Sequence, residues 1–151
     1  TRYIGDWSSD VCSSDLVILA LILGGLASSN TIDDLWYQEL VKSSLNPPGY
    51  VFGIVWPVLY LLMSISAFRT FKETKNLFLI QLLFNTLWSW LFFAFQMPLV
   101  ALLDVWLLIY LNIKINLKMF HQDKLSGILF IPYVLWLFFA SYLNLFIVLN
   151  N

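Results

Sequence analysis

The stretch Asn46-Pro47-Pro48-Gly49-Tyr50-Val51-Phe52-Gly53-Ile54-Val55-Trp56-Pro57-Val58-Leu59-Tyr60 limits what this chain can become more than any other. It starts as a turn that cannot be helical, because consecutive prolines supply no backbone N–H and each biases its predecessor away from the helical region. Gly49 relaxes the backbone as the next element begins. From Tyr50 to Phe68 no charge appears until Arg69. That run of about 19 residues is close to the roughly 20 a helix needs to cross a bilayer. The segment reads as a re-entry into a membrane from a tight external turn.

Composition agrees. A soluble domain is about 45–50% apolar and about 25% charged, whereas this chain is 60% hydrophobic and 11% charged, with a mean hydropathy of +0.80. Its 151 residues fit one domain, and the lipid bilayer is its first partner. A net charge of −1 without a basic patch excludes nucleic acid as a partner. Seven tryptophans within 18% aromatic residues exceed what two interfacial belts use, so some aromatics belong inside a helix bundle.

Residues 1–15 are polar and show neither a helical nor a strand period. They resemble translated adapter read-through at the ends of some metagenomic gene models, the alternative being a disordered tail; either way they stand outside the fold. The single cysteine, Cys12, lies there, so the remaining chain offers no disulfide or thiol chemistry. No cleavable signal peptide can be argued from such a start.

From residue 16 the pattern predicts an all-α integral membrane protein, with five transmembrane helices at about 16–29, 50–68, 77–95, 99–117 and 125–149. The first holds only Leu16 to Ala27 as an apolar run, too short to span, and is expected to have lost its native beginning. Within the loop that follows, Ile32 to Leu40 has the Trp and Tyr of a short interfacial helix. Arg69 to Lys75 and Lys114 to Lys124 are expected to be polar connections, and Gln96-Met97-Pro98 is a turn short enough to make its flanking helices antiparallel neighbours. Arg69, Lys72, Lys75, Lys114, Lys118 and Lys124 fall on one side, against Lys42 on the other. The positive-inside rule then places the N-terminus in the cytoplasm and the C-terminus outside, in a bacterial cell membrane.

At about 100° per residue, Phe52, Trp56, Leu59 and Met63 share a stripe with Tyr60 at its edge. Gln81, Asn85, Trp88 and Phe92 form a second stripe beside Ser89, and Tyr133, Trp136, Ala140 and Asn144 a third. Polar groups at membrane depth face the bundle, because an unsatisfied amide there costs several kcal/mol. Two readings stay open. The stripes either knit helices together by packing and interhelical hydrogen bonds, or line an internal cavity for a flat, largely apolar ligand with a few polar edges. Asp104 is the only acid within a span; such residues are functional or paired, but its nearness to the turn at Pro98 favours a structural residue reaching the wet surface. Pro57 removes a helical hydrogen bond and can kink its helix.

Paired carboxylates, phosphate loops, Cys/His metal clusters and Ser/His/Asp sets are missing from the sequence, so neither a catalytic residue nor a metal ligand is named. The lone His121 reads as a solvated loop residue. A tetrapyrrole held here would lack a His or Cys axial ligand within the membrane, leaving ring stacking and edge hydrogen bonds.

Several motifs in order resemble a known family: Trp36-Tyr37-x-x-Leu40-x-Lys42; Pro47-Pro48-Gly49-Tyr50-Val51-Phe52-Gly53-x-Val55-Trp56-x-x-Leu59-Tyr60; Asn85-x-Leu87-Trp88-Ser89-x-x-Phe92-Phe93; Ala101-Leu102-x-Asp104; and Ile131-Pro132-Tyr133-x-x-Trp136-x-x-Phe139-Ala140-Ser141-Tyr142-Leu143-Asn144. Over about Leu16 to Asn151 the chain is similar to the tryptophan-rich sensory proteins, bacterial relatives of the mitochondrial translocator protein (the peripheral-type benzodiazepine receptor). The resemblance implies a five-helix bundle, often a homodimer, whose cavity opens toward the first loop. It implies binding of porphyrins and haem-related tetrapyrroles as ligands rather than required cofactors, and of sterols and benzodiazepine-type compounds. Sensing, transport and, in some members, light-dependent porphyrin breakdown are the roles it carries. By motif position, Trp56, Asn85, Trp88 and Trp136 would line the pocket with Phe52, Tyr60, Phe92, Tyr133 and Ala140, under a lid of Trp36, Tyr37, Pro47 and Pro48.

The chain departs from the family pattern at Ser43, where a proline is usual, at Leu45, where an aromatic is common, and at Ile54, a frequent proline position, with Pro57 following instead. These departures bear on the lid's shape. No base follows Tyr142, and Leu107-x-x-Tyr110-x-x-x-Lys114 fits the proposed sterol pattern only loosely, so sterol ranks below porphyrin.

Overall fold

A segment surrounded by lipid has to satisfy its own backbone polar groups, and the apolar runs of this chain do so as helices. The computed structural model describes the backbone at residues 4–29 and 34–151, and side chains at 15–28 and 34–151. In order these are α1 (Ile4–Ser29), α2 (Leu35–Glu39), α3 (Gly49–Arg69), α4 (Phe71–Ser89) continued by a π-helical turn at Trp90–Ala94, α5 (Pro98–Gln122) and α6 (Lys124–Asn150). The backbone is thus helical back to Ile4, inside the segment whose sequence shows no helical period. Cys12 and its neighbours' side chains, and Ile32 and Asp33 of the expected interfacial helix, lie outside the described residues.

Among the described residues four helical spans are long and apolar enough to cross a membrane: Gly49–Arg69, Phe71–Ala94, Pro98–Gln122 and Lys124–Asn150. The apolar part of α1, Asp15–Ser28, is shorter. Only 28–39% of each spanning window is buried, and Ile54, Leu61, Leu83, Leu103 and Leu135 point outward, each more than half exposed. An apolar surface of that extent would aggregate in water and is satisfied by lipid. This is a multi-pass membrane protein.

Two expected polar connections are much shorter than the sequence suggested. Lys72, Glu73 and Lys75 lie in the first turns of α4, and Lys114, Lys118 and His121 in the last turns of α5. Lys and Glu are good helix formers and need no loop to reach water. The breaks shrink to single residues. Thr70 ends α3 with its N–H on the Ser66 carbonyl (3.2 Å), and its own carbonyl accepts from Glu73 and Thr74, both at 3.2 Å. Asp123 likewise donates to the Met119 carbonyl at 2.8 Å and accepts from the Gly127 N–H at 3.1 Å. An ion pair between Arg69 and Asp123 ties the two joints together.

At the other end of α4, Phe95 N–H bonds to the Trp90 carbonyl and Met97 N–H to that of Leu91, both at 2.9 Å. Gln96 takes a left-handed conformation (φ 55°), the usual way to stop a helix. Pro98 then opens α5, where its missing N–H costs nothing.

The helices close a ring in the order α1, α3, α6, α5, α4, with the α5–α6 pairing the most extensive. The ring is filled at the end nearest the Arg69–Asp123 pair, where Met63, Phe78, Ile115, Met119 and Phe130 are fully buried. At the α2 end Phe92, Ala101 and Ile147 form a second, much smaller hydrophobic cluster.

Candidate functional site

A polar layer divides the filled half from the other. The Tyr60 hydroxyl donates to Asn85 Oδ1, and Asn85 Nδ2 donates to the Tyr133 hydroxyl at 2.7 Å. Tyr133 donates in turn to Gln81 Oε1 at 2.9 Å, which also accepts from Asn112 Nδ2 at 3.3 Å. Gln81 Nε2 rests on Met63 Sδ at 3.3 Å. The layer joins α3, α4, α5 and α6, and its amides and hydroxyls largely satisfy one another, as burial in an apolar bundle demands. The packing reading of the stripes therefore holds at this depth.

Above the layer is a pocket of about 660 Å³, within the range of small-molecule sites. One wall, from α3 and α6, is a set of edge-packed rings. Phe52 meets Trp136 at 5.8 Å and 75°, Trp56 meets Trp136 at 6.2 Å and 82°, and Trp56 lies 5.8 Å from Tyr60. The facing wall, from α4, stacks Trp88 on Phe92 at 5.4 Å and 18°, with Phe93 edge-on to Phe92 at 4.9 Å. Among the described residues no ring contact joins the two walls. Trp88 Nε1 is spent on Asn144 Oδ1 at 3.2 Å, whereas the buried Trp136 Nε1 has no acceptor.

The loop around α2 closes the pocket from above. Tyr37 packs on Phe93 at 5.8 Å and on Phe92 at 6.5 Å, and burial raises its phenol above the ordinary value against an opposing hydrogen bond with Asn46. Three ties hold the loop down. Gln96 Nε2 donates to Asp34 Oδ2 at 3.2 Å. Asn151 brackets the Val41 peptide, accepting its N–H at 2.8 Å and donating to its carbonyl at 3.1 Å. The Ser43 hydroxyl, at the position where a proline was expected, lies 2.9 Å from the Tyr142 hydroxyl and also accepts from the Leu45 N–H.

Of the residues singled out from the sequence, Phe52, Trp56, Tyr60, Asn85, Trp88, Phe92, Trp136 and Ala140 line the pocket, as do Tyr37, Pro47 and Pro48 of the lid. Two do not. Tyr133 is fully buried within the polar layer, and Trp36 stands outside the lining with its ring edge-on to Phe92 at 6.1 Å. Pro57 lines the pocket within an unbroken α3.

Several lining residues escaped the sequence reading. Leu21, Gly24, Gly25 and Ser28 bring α1 to the pocket; the Gly24-Gly25 pair was the available signal. A Cβ on Gly24 would sit 3.4 Å from Ser89 Oγ, so α1 and α4 run close together at this point. Phe93 joins Phe92 because the π-helical turn holds more residues per turn and so narrows the angle between successive side chains, which a 100° period cannot anticipate. Asn46 and Lys42 also face the space, as does Asn144, which the third inward stripe had already placed toward the bundle interior.

Asp104 does not reach the wet surface. It is 7% exposed on α5, outside the pocket lining, and its Oδ2 has no partner. Among the described residues no three His, Cys, Asp or Glu side chains are grouped to hold a metal. His121 sits in the last turn of α5, exposed.

Comparison with known proteins fits this arrangement. The chain is 35% identical over 146 residues to the tryptophan-rich protein TspO of Archaeoglobus fulgidus, covering 92% of this chain and 95% of that one. It is 37% identical over 117 residues to the tryptophan-rich sensory protein of Cereibacter sphaeroides, covering 74% and 73%. The human translocator protein is 30% identical over 119 residues, covering 72% and 70%. The family model for the TspO/MBR family matches residues 14–149. With this match spanning the whole helix ring and the aromatic pocket inside it, the chain belongs to the TspO/MBR family.

Proposed function

We propose that this protein is a five-helix membrane receptor that binds a tetrapyrrole of the protoporphyrin type between its two aromatic walls. The observation that carries the reading is the pair of ring groups, Phe52–Trp56–Trp136 and Trp88–Phe92–Phe93, standing apart across about 660 Å³. Separated π faces suit a flat apolar ligand. The motif resemblance supplies the ligand class. Asn85, engaged by Tyr60 and Tyr133, acts in this reading as part of the pocket floor rather than as the main contact to the ligand. α1 counts as the fifth span because it closes the ring between α3 and α4, with the N-terminus cytoplasmic by the positive-inside rule.

Tryptophan fluorescence of the purified chain titrated with protoporphyrin tests this. Saturable quenching is expected, weakened at least about tenfold in the Trp56→Ala, Trp136→Ala double variant, as befits paired aromatic anchors. Unchanged binding in that variant would sink the assignment. The name translocator protein carried by the human relative favours transport as the second reading, and porphyrin flux into protein-loaded vesicles above that of empty ones would select it.

A further inference from the structure

The pocket lining holds, among the described residues, a single formal charge, the ammonium of Lys42. Among the described residues it has no ionic partner. The Arg69–Asp123 ion pair belongs to the opposite end of the bundle, and Asp34 is engaged by Gln96. What Lys42 does contact is weak: the Gln38 and Leu40 carbonyls at 3.5 and 3.4 Å, at the limit of hydrogen bonding. The ammonium lies 4.5 Å from the Tyr37 ring centroid, a cation–π contact that fixes its direction without neutralising it. Partial desolvation lowers its pKa, as expected of a cation beside apolar walls.

Its position is also set from both sides. Val41 has its N–H and carbonyl held by Asn151, and Ser43 is buried against Tyr142. Lys42 stands between two anchored residues, at the edge of a pocket whose other described lining groups are neutral. An anchored donor of this kind gives more discrimination than a mobile one, because less freedom is lost when its partner arrives.

We infer that Lys42 is a specificity residue that pairs with a carboxylate on the rim of the bound ligand, so that the pocket selects flat apolar acids over their neutral counterparts. The inference rests on the tetrapyrrole reading and adds the charge of the ligand to it. The apolar body fills the space between the tryptophan walls while the acid group stays at the lid, where the ammonium replaces its lost hydration by a charge-assisted hydrogen bond. Tyr37, which carries the ammonium on its ring face, is a positioning residue for this contact.

The test compares protoporphyrin, a diacid, with its dimethyl ester, titrated against the full chain in phosphatidylcholine nanodiscs and followed by tryptophan quenching, with empty nanodiscs as the baseline. For a partly exposed pair the wild type is expected to prefer the acid by about three- to tenfold. Lys42→Gln removes that preference by weakening the acid and not the ester, and Lys42→Arg retains it. An unchanged acid-to-ester ratio in Lys42→Gln overturns the inference while leaving the tetrapyrrole reading standing. Failure of both porphyrins to bind above the empty nanodiscs overturns that reading and the inference with it.

Discussion

Asn85 on α4 donates to the Tyr133 hydroxyl on α6 at 2.7 Å, yet only Asn85 borders the pocket. Tyr133 is fully buried one step deeper and passes the hydrogen bond on to Gln81. The pair marks the boundary between the part of the bundle built to be filled and the part left open. A residue on the far side of that boundary contributes to stability, and one on the near side is available to a ligand.

Tyr133→Phe separates the two roles. The substitution keeps the ring, which packs edge-on to Phe130 at 5.5 Å, and removes the hydroxyl from both bonds. Asn85 Nδ2 loses its acceptor, while Gln81 Oε1 keeps Asn112. Leaving a buried donor unpaired costs about 1–3 kcal/mol, so thermal unfolding in detergent should shift down measurably. Porphyrin affinity should stay within about twofold, the ordinary range for a change away from the site. A loss of binding as large as that of the double tryptophan variant would move Tyr133 into the site.

Gly127 in the first turn of α6 lies under the Phe120 ring. A Cβ there would come within 2.5–2.7 Å of three ring carbons, closer than atoms can pack, so Gly127→Ala requires the ring to move. Phe120 is 37% exposed and can swing outward, which limits the cost to about 1–3 kcal/mol. Phe120→Ala should remove the conflict. In a double-mutant cycle on unfolding midpoints, Gly127→Ala should be nearly neutral in the Phe120→Ala background. Equal costs in both backgrounds would show that the Phe120 ring is not the source of the effect, since helix propensity favours alanine over glycine.

How much of this was legible in the sequence depended on the kind of signal. Charge-free runs located the long helices, because lipid tolerates little else. Their ends were misread at Lys72–Lys75 and Lys114–His121, where residues that read as loop are good helix formers extending beyond the apolar zone. The inward stripes were legible from helical period, but period reports angle and not depth. Tyr133 and Trp136 share a stripe on α6, and one lies in the polar layer while the other is a pocket wall. Phe93 entered the pocket through a local change of helical period at Trp90–Ala94 that no fixed period predicts. Asp104 was expected at the wet surface from its distance along the chain to Pro98, and packing against the neighbouring helices buries it instead. The importance of Lys42 depended on what surrounds it, which only the folded loop supplies.

The Arg69–Asp123 pair gives the bundle a pH dependence confined to acid. Asp123 joins α5 to α6, and its carboxylate is held at about 2, chiefly by the hydrogen bond from Arg69 and then by that from Ser126. An unfolded aspartate titrates near about 3.9. Because the folded value is the lower one, the carboxylate contribution is complete above about pH 4 and fades as pH falls toward about 2. Asp123→Asn lacks that contribution at every pH. The wild type should therefore unfold at a higher temperature than the variant by a constant margin from pH 5 to pH 7, and the margin should close as the pH is lowered from about 4 to about 2. Since the pair is partly exposed, added salt at neutral pH should narrow the same margin. A difference between the two proteins that persists undiminished at pH 2 would mean that Asp123 acts through helix geometry at the joint and not through its charge.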